Sequence, residues 1–123
     1  MRKRIVGTIG AMAVAVGLAA SPALAGPAAP SSLTLDAFVM NQRCQGGDNV
    51  VVTLSANVQS SSDVLGFKWD WTNDGRFDTG VLSSPQANHT YPDEFNVTAR
   101  IGAKNAEGNT AFDTVSFATL RCP

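Results

Sequence analysis

The stretch Gly66-Phe67-Lys68-Trp69-Asp70-Trp71-Thr72-Asn73-Asp74-Gly75-Arg76-Phe77-Asp78 decides the fold of this chain. With Leu65 before it, Leu65, Phe67, Trp69 and Trp71 fall on alternate positions, so a strand here projects all four side chains from one face. Asn73-Asp74-Gly75 then supplies the residues that tolerate left-handed backbone, and predicts a tight turn. Both tryptophans of the 123-residue chain lie in this stretch. Each can bury roughly 150–250 Å², so they are expected to anchor the core.

Working outward, the same period of two recurs on both sides. Leu33, Leu35, Ala37 and Val39 alternate with Thr34, Asp36 and Phe38, which predicts a first strand. Gly46-Gly47-Asp48 signals a turn within Asn41 to Asn49, with Cys44 inside it. Val50, Val52, Leu54, Ala56 and Val58 predict a long second strand with one buried face, and Val51, Thr53, Ser55 and Asn57 on the other. After the Trp69 strand come a short segment at Phe77–Leu82, a break at Ser83-Ser84-Pro85, and His89-Thr90-Tyr91. Phe95, Val97, Ala99, Ile101 and Ala103 are expected to face inward, against Asn96, Thr98, Arg100 and Lys104. Asn105 to Asn109 reads as a hairpin loop, and Thr110 to Leu120 as a last strand that delivers Cys122. No helical period persists for three turns after the leader. About seven short strands separated by turn signals predict an all-β, immunoglobulin-like antiparallel β-sandwich.

The N-terminus belongs to something else. Arg2-Lys3-Arg4, the uncharged run Ile5 to Leu18 and Ala23-Leu24-Ala25 form the basic, apolar and small-residue regions of a secretory signal, with cleavage between Ala25 and Gly26. A membrane anchor fits less well, because the run is rich in Ala and Gly and shorter than the ~20 residues a span needs. The chain therefore divides into a signal peptide over 1–25, a flexible linker over 26–32 and one domain over 33–123. The mature product is expected to be extracellular, with no stable membrane insertion. Cleavage takes three of nine basic residues and leaves six against ten acidic, a net charge of −4. That argues against a nucleic-acid partner. Cys44 and Cys122, the only cysteines, read first as a disulfide in an exported chain. Two free thiols, or metal ligation together with the single histidine, His89, are the weaker alternatives.

Trp69-Asp70-Trp71-Thr72-Asn73-Asp74-Gly75, then His89-Thr90-Tyr91, then Phe95-Asn96-Val97-Thr98 resemble, in that order, the signature of PKD (polycystic kidney disease type) domains. The resemblance covers Leu33 to Leu120. It implies that Trp69 is the core tryptophan of the third strand and that Asp70 and Gly75 frame the adjacent turn. Trp71 stands where Phe or Tyr is usual, Thr72 where some members have Asp, and Glu94 where Gly usually precedes the aromatic. The cysteines are not a family feature. Their positions outside the second and sixth strands suit a staple from the loop after the first strand to the C-terminal tail. The resemblance implies a non-catalytic role, and in bacterial secreted proteins such domains accompany hydrolases or surface proteins.

Two constellations bear on chemistry. Asp70, Thr72, Asp74, Gly75 and Asp78 place oxygens at alternate positions around a glycine bend, as a loop that wraps calcium does. Val81 stands where an EF-hand needs its bidentate Glu, so Asp70, Asp74 and Asp78 are candidates only for a looser calcium site. Against it stands the reading that these carboxylates cap turns. His89 could serve as a general base, but that requires a nucleophile and an orienting partner, and no hydrolase or phosphate-loop motif is present. The expectation is a binding or interaction module that contacts an extracellular protein or polysaccharide, without an organic cofactor. A self-associating structural protein of the cell envelope is the alternative, and a small enzyme using His89 a weaker one.

Overall fold

Six strands account for the secondary structure of the computed structural model, which describes residues 30–123. The expected signal peptide and its cleavage point at Ala25 and Gly26 lie outside the described residues. The strands are β1 (Leu33–Gly46), β2 (Asn49–Ser60), β3 (Val64–Asp70), β4 (Ala87–Pro92), β5 (Asn96–Asn105) and β6 (Thr110–Ala118). They form two three-stranded antiparallel sheets, ordered β1-β2-β4 and β3-β5-β6. No helix occurs among the described residues. The fold is all-β with two sheets, as a β-sandwich requires.

The buried cluster draws on both sheets: Val50, Val52 and Leu54 of β2 together with Trp69 of β3 and Ala99 and Ile101 of β5 are wholly inaccessible to solvent. Trp69 and Trp71 stack with ring centroids 5.5 Å apart and planes 5° from parallel. At about 25 cal/mol per Å², each tryptophan contributes roughly 4–6 kcal/mol of transfer free energy. Tyr91 adds its ring from β4 and donates its phenol O–H to Trp71 O at 2.8 Å. That bond supplies the polar partner a buried tyrosine needs.

Several alternations end earlier or later than the pattern predicts. Leu65 does not share the face of Phe67 and Trp69: the ladder with β5 shifts register between Val64 and Gly66, and Leu65 stands 61% exposed. Phe95 precedes β5 and is exposed rather than inward. In β2, Val51, Thr53 and Ser55 are buried along with the inward set, giving seven buried residues in a row. As the central strand it is flanked by β1 and β4, whose side chains crowd both faces. Thr53 Oγ1 is accordingly bonded to Asn88 Oδ1 on β4 at 2.7 Å.

The expected strand at Phe77–Leu82 contributes one isolated bridge, Phe67 to Leu82. Its two backbone bonds are 2.9 and 2.7 Å long. The ladder stops there because Trp69 N donates to the Thr79 hydroxyl at 3.0 Å instead of to a backbone carbonyl. Trp69 O meanwhile accepts from Asp78 N at 2.8 Å and Thr79 N at 3.3 Å. Six strands, not seven, therefore remain.

On the other flank β1 meets β6 through side chains. Ala37 N donates to Asp113 Oδ2 at 2.7 Å, Gln42 Nε2 donates to Ala118 O at 3.2 Å, and Leu120 N donates to Gln42 Oε1 at 3.0 Å. The Cys44–Cys122 disulfide lies beyond these bonds, with Cα atoms 5.7 Å apart. Cys44 is not in a turn: β1 runs on to Gly46. Its place opposite Val50 follows from a bulge at Met40, where Val39 pairs with Leu54 but Asn41 pairs with Thr53. One extra residue exchanges the two faces of the strand. Odd-numbered residues face in before the bulge, and afterwards Gln42 and Cys44 pair with inward-facing Val52 and Val50.

Candidate functional site

The turn that follows β3 is built on Asp70. Its side chain is fully buried and accepts Gly75 N on Oδ2 at 2.9 Å, and Asp74 N and Thr72 N on Oδ1 at 3.2 and 3.4 Å. Burial opposes the charge, but the three backbone donors outweigh it and hold the carboxyl below the usual aspartate range. Asn73 at φ 53° and Gly75 at φ 93° supply the left-handed positions the turn needs. Asp78 Oδ2 accepts Trp71 N at 2.8 Å, and Asp74 Oδ1 accepts Arg76 N at 2.9 Å. The structure thus places each of the three candidate calcium ligands against backbone amides of its own turn. Among the described residues no group of three or more His, Cys, Asp or Glu side chains is gathered to hold a metal ion.

His89 sits in an aromatic file. Its imidazole stacks on Trp71 at 4.8 Å and meets Tyr91 edge-on at 4.7 Å, and Tyr91 in turn meets Phe117 edge-on at 5.9 Å. Burial pushes the His89 pKa down, partly offset by the nearby Asp78 carboxylate. Burial likewise pushes the Tyr91 phenol up, and Asp78 and Asp70 reinforce that shift. These groups are arranged as packing, with the ring faces of His89 and Trp71 laid on each other.

Asn105 organises one end of the molecule. It is wholly buried, and its amide donates to Ser32 O and Ser60 Oγ at 3.1 Å each. Its Oδ1 accepts Glu107 N at 3.1 Å and Asn109 N at 2.9 Å. One side chain thereby ties the β5–β6 hairpin to the end of β2 and to Ser32, a residue whose composition reads as linker. Asn105 continues the inward parity of Val97, Ala99, Ile101 and Ala103. That parity is the signal from which it could have been found.

A concave apolar surface lies on the outer face of β3-β5-β6, a region the sequence reading did not single out. The groove has a volume of about 330 Å³. Leu65, Phe77, Val81 and Phe112 supply its carbon surface, and Lys68 and Lys104 border it. Val81 is 67% exposed and Phe112 52%. The floor lacks side chains. A Cβ at Gly102 would lie 2.7 Å from Phe77 Cζ and 2.9 Å from Phe112 Cε1, and one at Gly66 would run into Val81. The Phe77 and Phe112 rings lie 6.3 Å apart with planes 14° from parallel. The Arg100 guanidinium sits 4.3 Å from the Phe112 centroid and 5.3 Å from that of Phe77. Phe112 has the opposite parity to Val115 and Phe117 along β6, and pairs with Gly102 on β5. A phenylalanine on the water-facing parity, opposite a glycine, is the sequence signal that marks this face.

Comparison with protein-family models, with curated proteins and with solved structures returned no match. Among the described residues no helix is long and apolar enough to cross a membrane.

Proposed function

We propose that the chain is a secreted, non-catalytic interaction module of PKD type, an immunoglobulin-like sandwich that contacts an extracellular protein or polysaccharide. The groove between Leu65, Phe77, Val81 and Phe112 carries this reading, because contiguous exposed apolar surface bordered by polar groups is characteristic of interaction sites. Support for the immunoglobulin-like class comes from the partition of the strands. First, second and fourth share one sheet while third, fifth and sixth share the other, as the A, B, E and C, F, G strands of that class do. Support for the PKD type comes from where its motifs fall: Trp69 in the core, Asp70 and Gly75 joined across one turn, and Tyr91 bonded to the backbone of Trp71.

The test is an array of extracellular proteins and polysaccharides probed with the purified full-length product and with its Phe112→Ser variant. Binding to an array member that is lost in the variant, with no turnover of the bound material, is the expected result. Binding indifferent to the substitution removes the groove from the account. A mass that rises with concentration, in the absence of any ligand, replaces the module with a self-associating structural protein.

A further inference from the structure

The same groove restricts the chemistry of its occupant, and this inference rests on the reading of the chain as an interaction module. Thr110 carries the only neutral hydroxyl among the lining side chains, and no carboxylate lines the groove. A saccharide seated there would bury hydroxyls without partners, at about 1–3 kcal/mol for each one left unsatisfied. An aliphatic or aromatic side chain meets no such penalty. The volume, about 330 Å³, lies at the low end of ligand cavities, which run from roughly 300 to 1,000 Å³. It suits one or two large side chains better than a run of sugar rings.

The charges around it are of one sign. Lys68 pairs across the sheet with Gly102, which pairs in turn with Phe112, and Lys104 pairs with Gly66 and Thr110. The two lysines therefore occupy neighbouring rows on one face of the sheet. Such rows are two residues apart along a strand, roughly 6.6–6.8 Å. Same-side residues of an extended polypeptide repeat at that spacing too. Among the described residues the one ion pair is Arg121 with Glu94, so the ammonium groups of Lys68 and Lys104 have no carboxylate partner. The excess of acidic residues over the chain as a whole does not cancel this local field, because charges beyond about 8–10 Å are screened at ordinary ionic strength.

We infer that the groove between β3 and β6 takes an extended polypeptide segment in which a large apolar side chain has a carboxylate two residues away on either side, so that all three share one face. The apolar group lies between Phe112 and Val81, and the carboxylates reach Lys68 and Lys104.

The experiment is an amide-shift titration of the purified full-length product with three hexapeptides: Glu-Ser-Phe-Ser-Glu-Ser, which carries both carboxylates and the ring on one face, the same with lysine for each acidic residue, and the same with serine. Polygalacturonate is a fourth arm. The acidic peptide is expected to move the amides of Gly66–Lys68, Gly102–Lys104 and Thr110–Phe112. Its binding should weaken roughly five-fold between 0.05 and 0.5 M salt, and at least about ten-fold in the Lys68→Glu/Lys104→Glu variant. Both lysines are exposed, so that variant keeps its fold, and an unchanged melting midpoint checks this. Equal binding of the lysine or serine peptide overturns the inference, as does no shift with any peptide. If polygalacturonate alone moves the groove amides, the polypeptide occupant is wrong while the interaction-module reading stands. The array with Phe112→Ser judges that reading separately.

Discussion

Asp70 and Glu94 show how much single residues decide. The Asp70 carboxylate is held below its usual range by three backbone donors, so the unfolded chain takes up this proton before the native one does. The stability it contributes is fully present above the unfolded pKa, near 3.9, and is lost as pH falls through the lower native value. Acid titration of folding stability should therefore show a steep loss below about pH 4 that is shallower in Asp70→Asn. That variant should also be less stable at neutral pH by about 1–3 kcal/mol, since one acceptor is replaced by a donor facing donors. Equal acid slopes in the two proteins would remove Asp70 from the explanation. Glu94 holds φ at 46°, in the left-handed region that favours glycine. A left-handed L-residue costs about 1–2 kcal/mol, of which the greater unfolded-state freedom of glycine returns roughly half. Glu94→Gly should thus stabilise by about 0.5–1 kcal/mol in denaturant unfolding. The ion pair it removes, Arg121 to Glu94 at 3.6 Å, is exposed and offsets little of this. A destabilised variant would contradict the strain argument.

At the scale of elements, the bulge in β1 brings an even-numbered cysteine onto the face that odd-numbered residues occupy earlier in the strand. Before Met40 the strand presents Leu35, Ala37 and Val39 inward, and after it Gln42 and Cys44. Deleting Met40 removes only the unpaired residue: Val39 still meets Leu54, Asn41 still meets Thr53, and Cys44 keeps its place opposite Val50 while Cys122 stays on its tail. That tail is fixed independently: Thr119 Oγ1 donates to Pro92 O at 2.7 Å, and Phe95 N donates to Thr119 Oγ1 at 2.8 Å. The deletion variant should therefore be recovered fully oxidised, with no titratable thiol, as in the parent. Two titratable thiols in that variant would show that the extra residue does more than correct the parity of the strand. The period-two pattern of Leu33 to Val39 was legible in the sequence. The bulge was not, because a single extra residue is set by competition between pairing to β2 and side-chain bonds to β6.

Across the whole molecule, the two sheets hold different edges closed by different means. On one flank the Phe77–Leu82 segment lies along β3; on the other Asp113 and Gln42 join β1 to β6, and the disulfide joins β1 to the tail after β6. The bridge spans a sequence separation of 78. On the chain-entropy model a loop of this length contributes at most about 4.5 kcal/mol by constraining the unfolded chain. Cys44→Ser/Cys122→Ser should lose about 2–4.5 kcal/mol in equilibrium unfolding while keeping its far-ultraviolet spectrum, since the tail has its own hydrogen bonds. A loss under 0.5 kcal/mol would show that the unfolded state is already compact without the bridge.

Alternation determined the all-β class and the Trp69–Trp71 core, because burial of every second residue writes itself directly into the order of residues. Turn residues marked the hairpin at Asn105, and the presence of just two cysteines behind an export signal gave their pairing. Tertiary structure alone decided that Phe77–Leu82 makes one bridge, that Asn105 ties three segments together, and that Leu65, Val81 and Phe112 converge on a groove. Those outcomes depend on residues far apart in the chain meeting across strands, where the register of one pair decides which side chains face each other.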